Sequence, residues 1–454
     1  MTRQFKTVDY DKSLEQTVTI EECVPPGHLA RFIVDTIQTL DLGCIYGRYG
    51  TRGGEPYAPE ILLGLLFYGY ATGVVSSRKI EKATYESIPF RFIAGGLHPD
   101  HDTIAHFRKT FLFEFVELFA QVLLMAKEVG ILKLDNISLD GSKVHADASK
   151  SKAVSYKRLL ELDSQLRAEV EELFALGEAG NESEWPEGLD IVKEIIIRRE
   201  RLTNLTLAKA ELEKRAEERY RAEKAGYEAK IRARREKEQQ TGRKPRGRMP
   251  QPPTPGARDK DQYNFTDPGS RVMKNSTNSG FDQHYNVQLA VDQDSFLIVA
   301  NTTSNHANDQ NEAIPTLDAI PTQVGKPQGA ALDNGYFSKK NITEIKQRGI
   351  TPYIATGREP HHKSWRERFA ETSAPPPADA SSTVKMAYQL QTKIGKVVYG
   401  LRKCTVEPVI GIIKEIMGFR QFSLRGLAAA AGEWCLVCLA FNLKRLHVLL
   451  ASQT

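Results

Sequence analysis

A chain of 454 residues, 41% hydrophobic and 26% charged, can bury a full core and divide into about two or three domains, which excludes a disordered or fibrous protein. Its formal net charge of +5 hides a contrast, because Lys and Arg crowd between about Arg199 and Arg248 while the region before them is acidic. Its five cysteines, Cys23, Cys44, Cys404, Cys435 and Cys438, are too few and too scattered for a disulfide framework, so a reducing cytoplasm is expected.

Cys435 and Cys438 form a C-x-x-C inside the apolar run Trp434 to Phe441, with no second Cys or His pair at zinc-finger spacing, and read as core cysteines. The N-terminal MTRQFKTVDYDKS has no apolar signal region. The apolar runs Ile61 to Val75 and Leu427 to Phe441 fall short of the roughly 18 to 20 residues that span a bilayer, so core helices and no membrane partner are expected.

In chain order, Pro25 to Lys127 carries apolar residues at three- and four-residue spacing, as in Ile61, Leu62, Leu65 and Leu66, and predicts a bundle of short helices. TRGGEPYAP and GGLHPDHDT are its turn signals, with Asp102 or Thr103 as the cap before Ile104. KLDNISLDGSKVHADAS predicts a short strand, from Leu134, Ile137 and Leu139, that ends at Asp140-Gly141 and carries Asp140 at its tip. Two long helical stretches follow, about Val154 to Leu176 and Leu189 to Lys237; Leu159, Leu162, Leu166, Val170 and Leu173 recur near heptad spacing and predict an antiparallel hairpin. The linker TGRKPRGRMPQPPTPGARDKDQ reads as extended and mobile. Strand signals return at Tyr285 to Val291, Phe296 to Ala300, Gly329 to Leu332 and Ile354, with a helix over Lys339 to Gln347, giving an α/β mixed sheet flanked by helices. A Pro-rich insertion, about Arg358 to Thr383, precedes a final helical block from Thr405.

Phosphodiester transfer needs a nucleophilic oxygen, a stabilised leaving oxygen and relief of phosphate charge, all of which two divalent ions held by carboxylates supply. Asp140 and Asp333 each end a predicted strand and are followed at once by a turn, so adjacent strand tips place them side by side. In YGLRKCTVEPVIGIIKEIMGF, Thr405 reads as an N-cap and Pro408 as a first-turn residue, which puts Glu407 in the first turn and Lys414 two turns on along the same face, over a phosphate. His145 and Asp147 either join the metal site or take a neighbouring polar role, and His306 either caps a helix or shapes the site through Asn308 and Asp309. The basic stretch Lys224 to Arg248, with Arg243, Lys244, Arg246 and Arg248, is either a solvated helix face or a contact to backbone phosphates. Arg78, Lys79, Lys82, Arg108 and Lys109 are weaker candidates for DNA contacts.

LDGSKVHADAS, ALDNGYFSKKN and YGLRKCTVEPVIGIIK resemble the three acidic motifs of DDE-type insertion-sequence transposases, and Pro25 to Phe111, with YAPEILLGLLFYGYATG and HPDHDTIAHFRK, resembles their N-terminal domain. SRVMKNSTNSGFDQHYNVQLAVD and IVANTTSNHANDQNEAIPTL resemble the strands and helix between the first and second acids. The resemblance implies a ribonuclease H-like core with Asp140, Asp333 and Glu407 as catalytic and metal-binding residues for Mg²⁺ or Mn²⁺, two ions per site. It implies phosphate-binding roles for Lys414, Tyr399 and Arg402; the usual motif leaves three residues between its Arg and Glu and this chain has four, so Lys403 is an alternative to Arg402. The implied organisation is a helical DNA-binding domain over 1–127, the first part of the core over 128–150, the hairpin insertion and basic linker over 151–262, and the rest of the core with C-terminal helices over 263–454. The implied activity is cleavage at element ends and strand transfer into double-stranded DNA, by a homo-oligomer associated with the bacterial nucleoid in the cytoplasm. The alternatives are a catalytically inactive DNA-binding relic or regulator, and a ribonuclease H-like nuclease that does not rejoin DNA.

Overall fold

A computed structural model of the chain describes residues 19–50, 55–180, 185–245, 247–275, 280–357 and 374–452. Their contacts divide the chain into one unit of Met1–His145 with Tyr285–Thr454 and a second of Ala146–His284. The first unit begins with the predicted short helices: α1 (Leu29–Thr39), α2 (Gly43–Tyr46), α3 (Pro59–Thr72), α4 (Ser77–Glu86), α5 (Ile88–Ile93), α6 (His101–Thr110) and α7 (Glu114–Glu128). Helix α3 starts on Pro59, where a missing N–H costs nothing, and stops at Gly73, whose φ of +85° suits a residue without Cβ. The cap of α6 is Asp100 rather than Asp102 or Thr103: its carboxylate accepts from the Thr103 N–H at 2.9 Å, and Asp102 falls inside the first turn.

Strand β1 (Asn136–His145) runs through Asp140 instead of ending there. The Asp-Gly pair reads locally as a turn, but backbone partners further on keep the chain extended: the His145 N–H donates to Arg420 O at 3.1 Å and the His145 carbonyl accepts from the Phe422 N–H at 2.8 Å.

The second unit holds β2 (Ala153–Ser155), α8 (Tyr156–Glu178), α9 (Ile191–Thr241), β3 (Gln262–Asn264) and β4 (Arg271–Lys274), with β2 and β3 antiparallel. Ser155 and Asp190 cap the two helices, and α9 stops at Gly242 with φ +64°. Leu159 and Leu166 of α8 pack on Leu205, Ala208 and Leu212 of α9. The antiparallel sense shows in Tyr156 pairing with Glu213 at 2.9 Å and Glu169 with Arg198 at 2.7 Å. At 51 residues α9 is about 75 Å long. The Pro-rich stretch after it does not hang free as its composition predicts. Arg219 grips Asp261 with two bonds of 2.9 Å, Arg258 reaches Glu223 at 3.0 Å, and Arg234 donates to Pro245 O at 2.9 Å, so guanidinium groups fasten to α9 a stretch that has no ladder of its own.

The chain then adds β5 (Phe281–Asp292), β6 (Ile298–Ser304), α10 (Ala313–Asp318), β7 (Gly329–Leu332), α11 (Lys339–Gln347), β8 (Thr351–Ile354), α12 (Ser382–Gln391), α13 (Lys393–Gly411) and α14 (Leu427–Ala451). The first residues of β5 pair with β4 inside the second unit. In the first unit the strand order is β6-β5-β1-β7-β8, with β5 and β6 antiparallel and β1, β7 and β8 parallel, so the expected α/β mixed sheet with flanking helices is present. Among the described residues α14 is the one helix that by length and composition alone could cross a membrane. It packs instead on α3, α7 and β6, and its Asn442 side chain serves both backbone groups of Ile298 on β6, at 2.8 and 2.7 Å. Cys435 and Cys438 are buried in it and unpaired, as expected of core cysteines.

Candidate active site

The parallel register of β1 and β7 pairs Asn136 with Gly329 and continues to Leu139 with Leu332. The next residues are Asp140 and Asp333, so the two acids follow the same step of adjacent strands, which lie about 4.8 Å apart. Strand β7 stops there because the Asp333 carboxylate turns back to accept from the Gly335 N–H at 2.7 Å, capping a short turn over Asn334–Tyr336. Asp140 accepts from the Gly141 N–H at 2.8 Å.

Glu407 arrives on α13, though not in a first turn. The helix begins twelve residues before Thr405, capped by Thr392, and Thr405 is buried mid-helix with its hydroxyl donating to Leu401 O at 2.7 Å. Buried Val398, Val406 and Val409 carry the helix past Pro408 despite the missing N–H. Arg402 points from the same helix into the acids, donating to Asp140 at 2.7 Å and to Glu407 at 3.4 Å. Five residues rotate a helix by about 140° beyond a full turn, an offset the long guanidinium spans. Lys403 is exposed. Tyr399 is partly buried against the cluster of Ala331, Tyr353 and Val398. Lys414 sits in the wider turn Ile412–Ile416 that follows α13, and its ammonium donates to Ser142 Oγ at 2.6 Å and to Lys143 O at 2.9 Å, with burial lowering its pKa.

Burial pushes the Asp140 carboxyl up to about 6; Arg402 pulls it down and Asp333 pushes it up again. Burial of the Asp140 carboxyl therefore outweighs its contact with Arg402. Among the described residues no three His, Cys, Asp or Glu side chains converge closely enough to hold a metal ion, and the group that bridges Asp140 and Glu407 is the Arg402 guanidinium. Hard carboxylate oxygens nonetheless suit a hard divalent cation, and Asp140, Asp333 and Glu407 are the residues that would hold it.

Against these acids stands a polar layer: Asp309, which the sequence offered as shaping the site together with Asn308, Tyr336 of the motif ALDNGYFSKKN, whose hydroxyl donates to Gln288 Oε1, and two residues of β5 that sequence reasoning overlooked, Asn286 and Gln288. Burial and the carboxylates of Asp140, Asp309, Asp333 and Glu312 hold the Tyr336 phenol well above its usual range. The one signal available was polar alternation in HYNVQLAVD, where Asn286 and Gln288 share a face of an otherwise apolar strand. His306 pairs with Glu312 at 2.8 Å, and the cap of the following turn is Asn308, which accepts from the Gln310 N–H at 3.0 Å. Asp147, Arg243, Lys244 and Arg248 belong to the second unit, where the last three are exposed; Arg246 lies outside the described residues. Arg108 is buried in the helical core and is thereby removed from the candidates for DNA contact, whereas Arg78, Lys79, Lys82 and Lys109 are exposed.

The family model described as Transposase domain (DUF772) matches residues 18–110, and that described as Transposase DDE domain matches residues 253–443. Together they span more than half of the chain; the second includes Asp333 and Glu407, and Asp140 lies between the two. No curated protein and no solved structure matches the chain.

Proposed function

The chain belongs to the DDE-type insertion-sequence transposases, and from that premise we propose that it cleaves DNA at the ends of its element and joins the freed ends to target DNA. Asp140, Asp333 and Glu407 would hold Mg²⁺ or Mn²⁺ in this reading, two ions in all, which would supply water activation and charge relief at the phosphate. Water adds to phosphorus as the bond to the bridging 3′-oxygen breaks, leaving a 3′-hydroxyl. That hydroxyl then attacks a target phosphodiester in line and releases a target 3′-hydroxyl, so no external energy source is needed. Arg402, Lys414 and Tyr399, with Lys403 further out, bind the scissile phosphate and its neighbours. Arg243, Lys244, Arg246 and Arg248 grip the duplex backbone without reading sequence. The core is of the ribonuclease H type, and the enzyme works as an oligomer on paired ends, at the nucleoid in the cytoplasm.

The observation that carries this reading is the register that makes Asp140 and Asp333 neighbours, with Arg402 linking the first of them to Glu407. A labelled duplex from the DNA flanking the coding region, incubated with Mn²⁺, tests it. Joined products are expected, and Asp333→Ala is expected to lose cleavage and joining by more than about 1000-fold while still binding DNA. Cleavage without joining would leave a nuclease; binding without cleavage would leave a regulator.

A further inference from the structure

Against the two aspartates lies the polar layer for which the chemistry above has no use. Gln288 and Tyr336 are fully buried and Asn286 is 1% exposed, so each polar atom there needs a partner within the protein. Asp309 Oδ1 accepts from Asn286 Nδ2 at 2.7 Å and from Gln288 Nε2 at 2.8 Å. Gln288 Nε2 also donates to Asn286 Oδ1 at 3.2 Å, Asn286 Nδ2 to His306 O at 3.1 Å, and the Tyr336 hydroxyl to Gln288 Oε1. An ionised carboxylate only accepts. It therefore compels both amides to turn their NH₂ groups towards residue 309, which leaves the Gln288 oxygen facing the tyrosine.

This directed chain touches both strand ends. A Cβ added at Gly141 would lie 2.4 Å from Gln288 Nε2 and 2.8 Å from Asp309 Oδ1, so the backbone next to Asp140 is seated directly on the layer. Tyr336 closes the turn that Asp333 caps. The network joins β5, the Asp309 turn and the segment after β7, and its contact with Gly141 brings in β1. We propose that Asp309 is a positioning residue of the active site: by orienting Gln288 and Asn286 it sets the separation at which Asp140 and Asp333 are held. The proposal rests on the transposase reading of those two acids.

The test uses the full-length protein with Asp309→Asn and the double variant Asn286→Asp/Asp309→Asn, which exchanges carboxylate and amide while keeping an acceptor for Gln288. Mn²⁺ affinity is read by calorimetric titration without DNA, cleavage as separate kcat and KM, and folding as Tm. Asp309→Asn is expected to bind Mn²⁺ about 10-fold more weakly and to lose about 100-fold in kcat, with KM for DNA and Tm nearly unchanged. The exchanged pair is expected to recover most of both losses. Wild-type Mn²⁺ affinity and kcat in Asp309→Asn would overturn the proposal, as would losses that follow a fall in Tm or a double variant as impaired as the single one. A wild-type protein that binds Mn²⁺ but cuts no DNA would count against the transposase reaction, while the affinity comparison would still decide the role of Asp309.

Discussion

Two arginine–carboxylate networks in the first unit are built on buried arginines, Arg108 and Arg402, and they are completed in different ways. In the helical core, Glu433 of α14 is 0% exposed and ringed by donors: the Tyr70 hydroxyl at 2.8 Å, the Ser423 hydroxyl, and the Ser423 and Leu424 N–H groups at 2.9 and 3.1 Å. Arg108 donates to Tyr70 at 2.9 Å and stands 3.9 Å from Glu433. At the end of the sheet, Asp140 has Arg402 and the Gly141 N–H, and its carboxyl still rises to about 6. Each arginine leaves its Nε without a partner among the described residues, so the difference lies with the acids. A carboxylate whose lone pairs are all used holds helices together. One with fewer donors, raised by burial and by a second acid beside it, has accepting capacity left over.

The comparison is easiest to break at Glu433. Glu433→Ala strands Arg108, Tyr70 and Ser423 together and is expected to cost about 3 to 5 kcal/mol, read as a drop in Tm or in denaturant midpoint; a loss near zero would show that this network is no more structural than the other. Asp140→Asn is expected to act in the opposite direction. A carboxyl whose folded pKa is raised favours its neutral form, so stability falls as pH rises from about 4 to about 6 and stays low above that. In EDTA at pH 8 the amide variant should therefore be the more stable by up to about 3 kcal/mol, and the gain should vanish below pH 4. The smallest effect sharpens the role of Arg402. On the proposed function its guanidinium and a divalent ion would compete for the same oxygens, so Arg402→Gln should bind Mn²⁺ about tenfold more tightly in the absence of DNA. Weaker binding would make the arginine a support for the site instead of a competitor.

Much of this was legible in the sequence where one element is bounded by its own signals. Gly329–Leu332 and Lys339–Gln347 form as expected, because a short buried apolar run ends at Asp-Asn-Gly in one case and Ser338 caps the other. The helix of Glu407 was misplaced for an equally local reason: Thr405 and Pro408 together imitate a helix start, and only the burial of Val398, Val406 and Val409 shows the helix passing through. Whether Arg402 or Lys403 faces the acids turned on helical phase, which follows from the true start of α13 and not from the motif spacing. Arg108 looked like a surface charge because its partners, Tyr70 and Glu433, are brought to it by tertiary packing. Asp309 was named beside the site with Asn308, but its contacts with Asn286 and Gln288 and its nearness to Gly141 of another strand were beyond local reading.

The parallel pairing of β1 and β7 also has a consequence for how the protein is made. Asp140 leaves the ribosome long before the residues that answer it: Arg402 follows 262 positions later. At ordinary rates of translation this is a wait on the order of ten to fifty seconds, during which the second unit can fold on itself, and until β7 is made β1 has no partner on that side. Any release of the polypeptide before α13 is synthesised yields a product in which Asp140 has neither Arg402 nor, through it, Glu407 beside it.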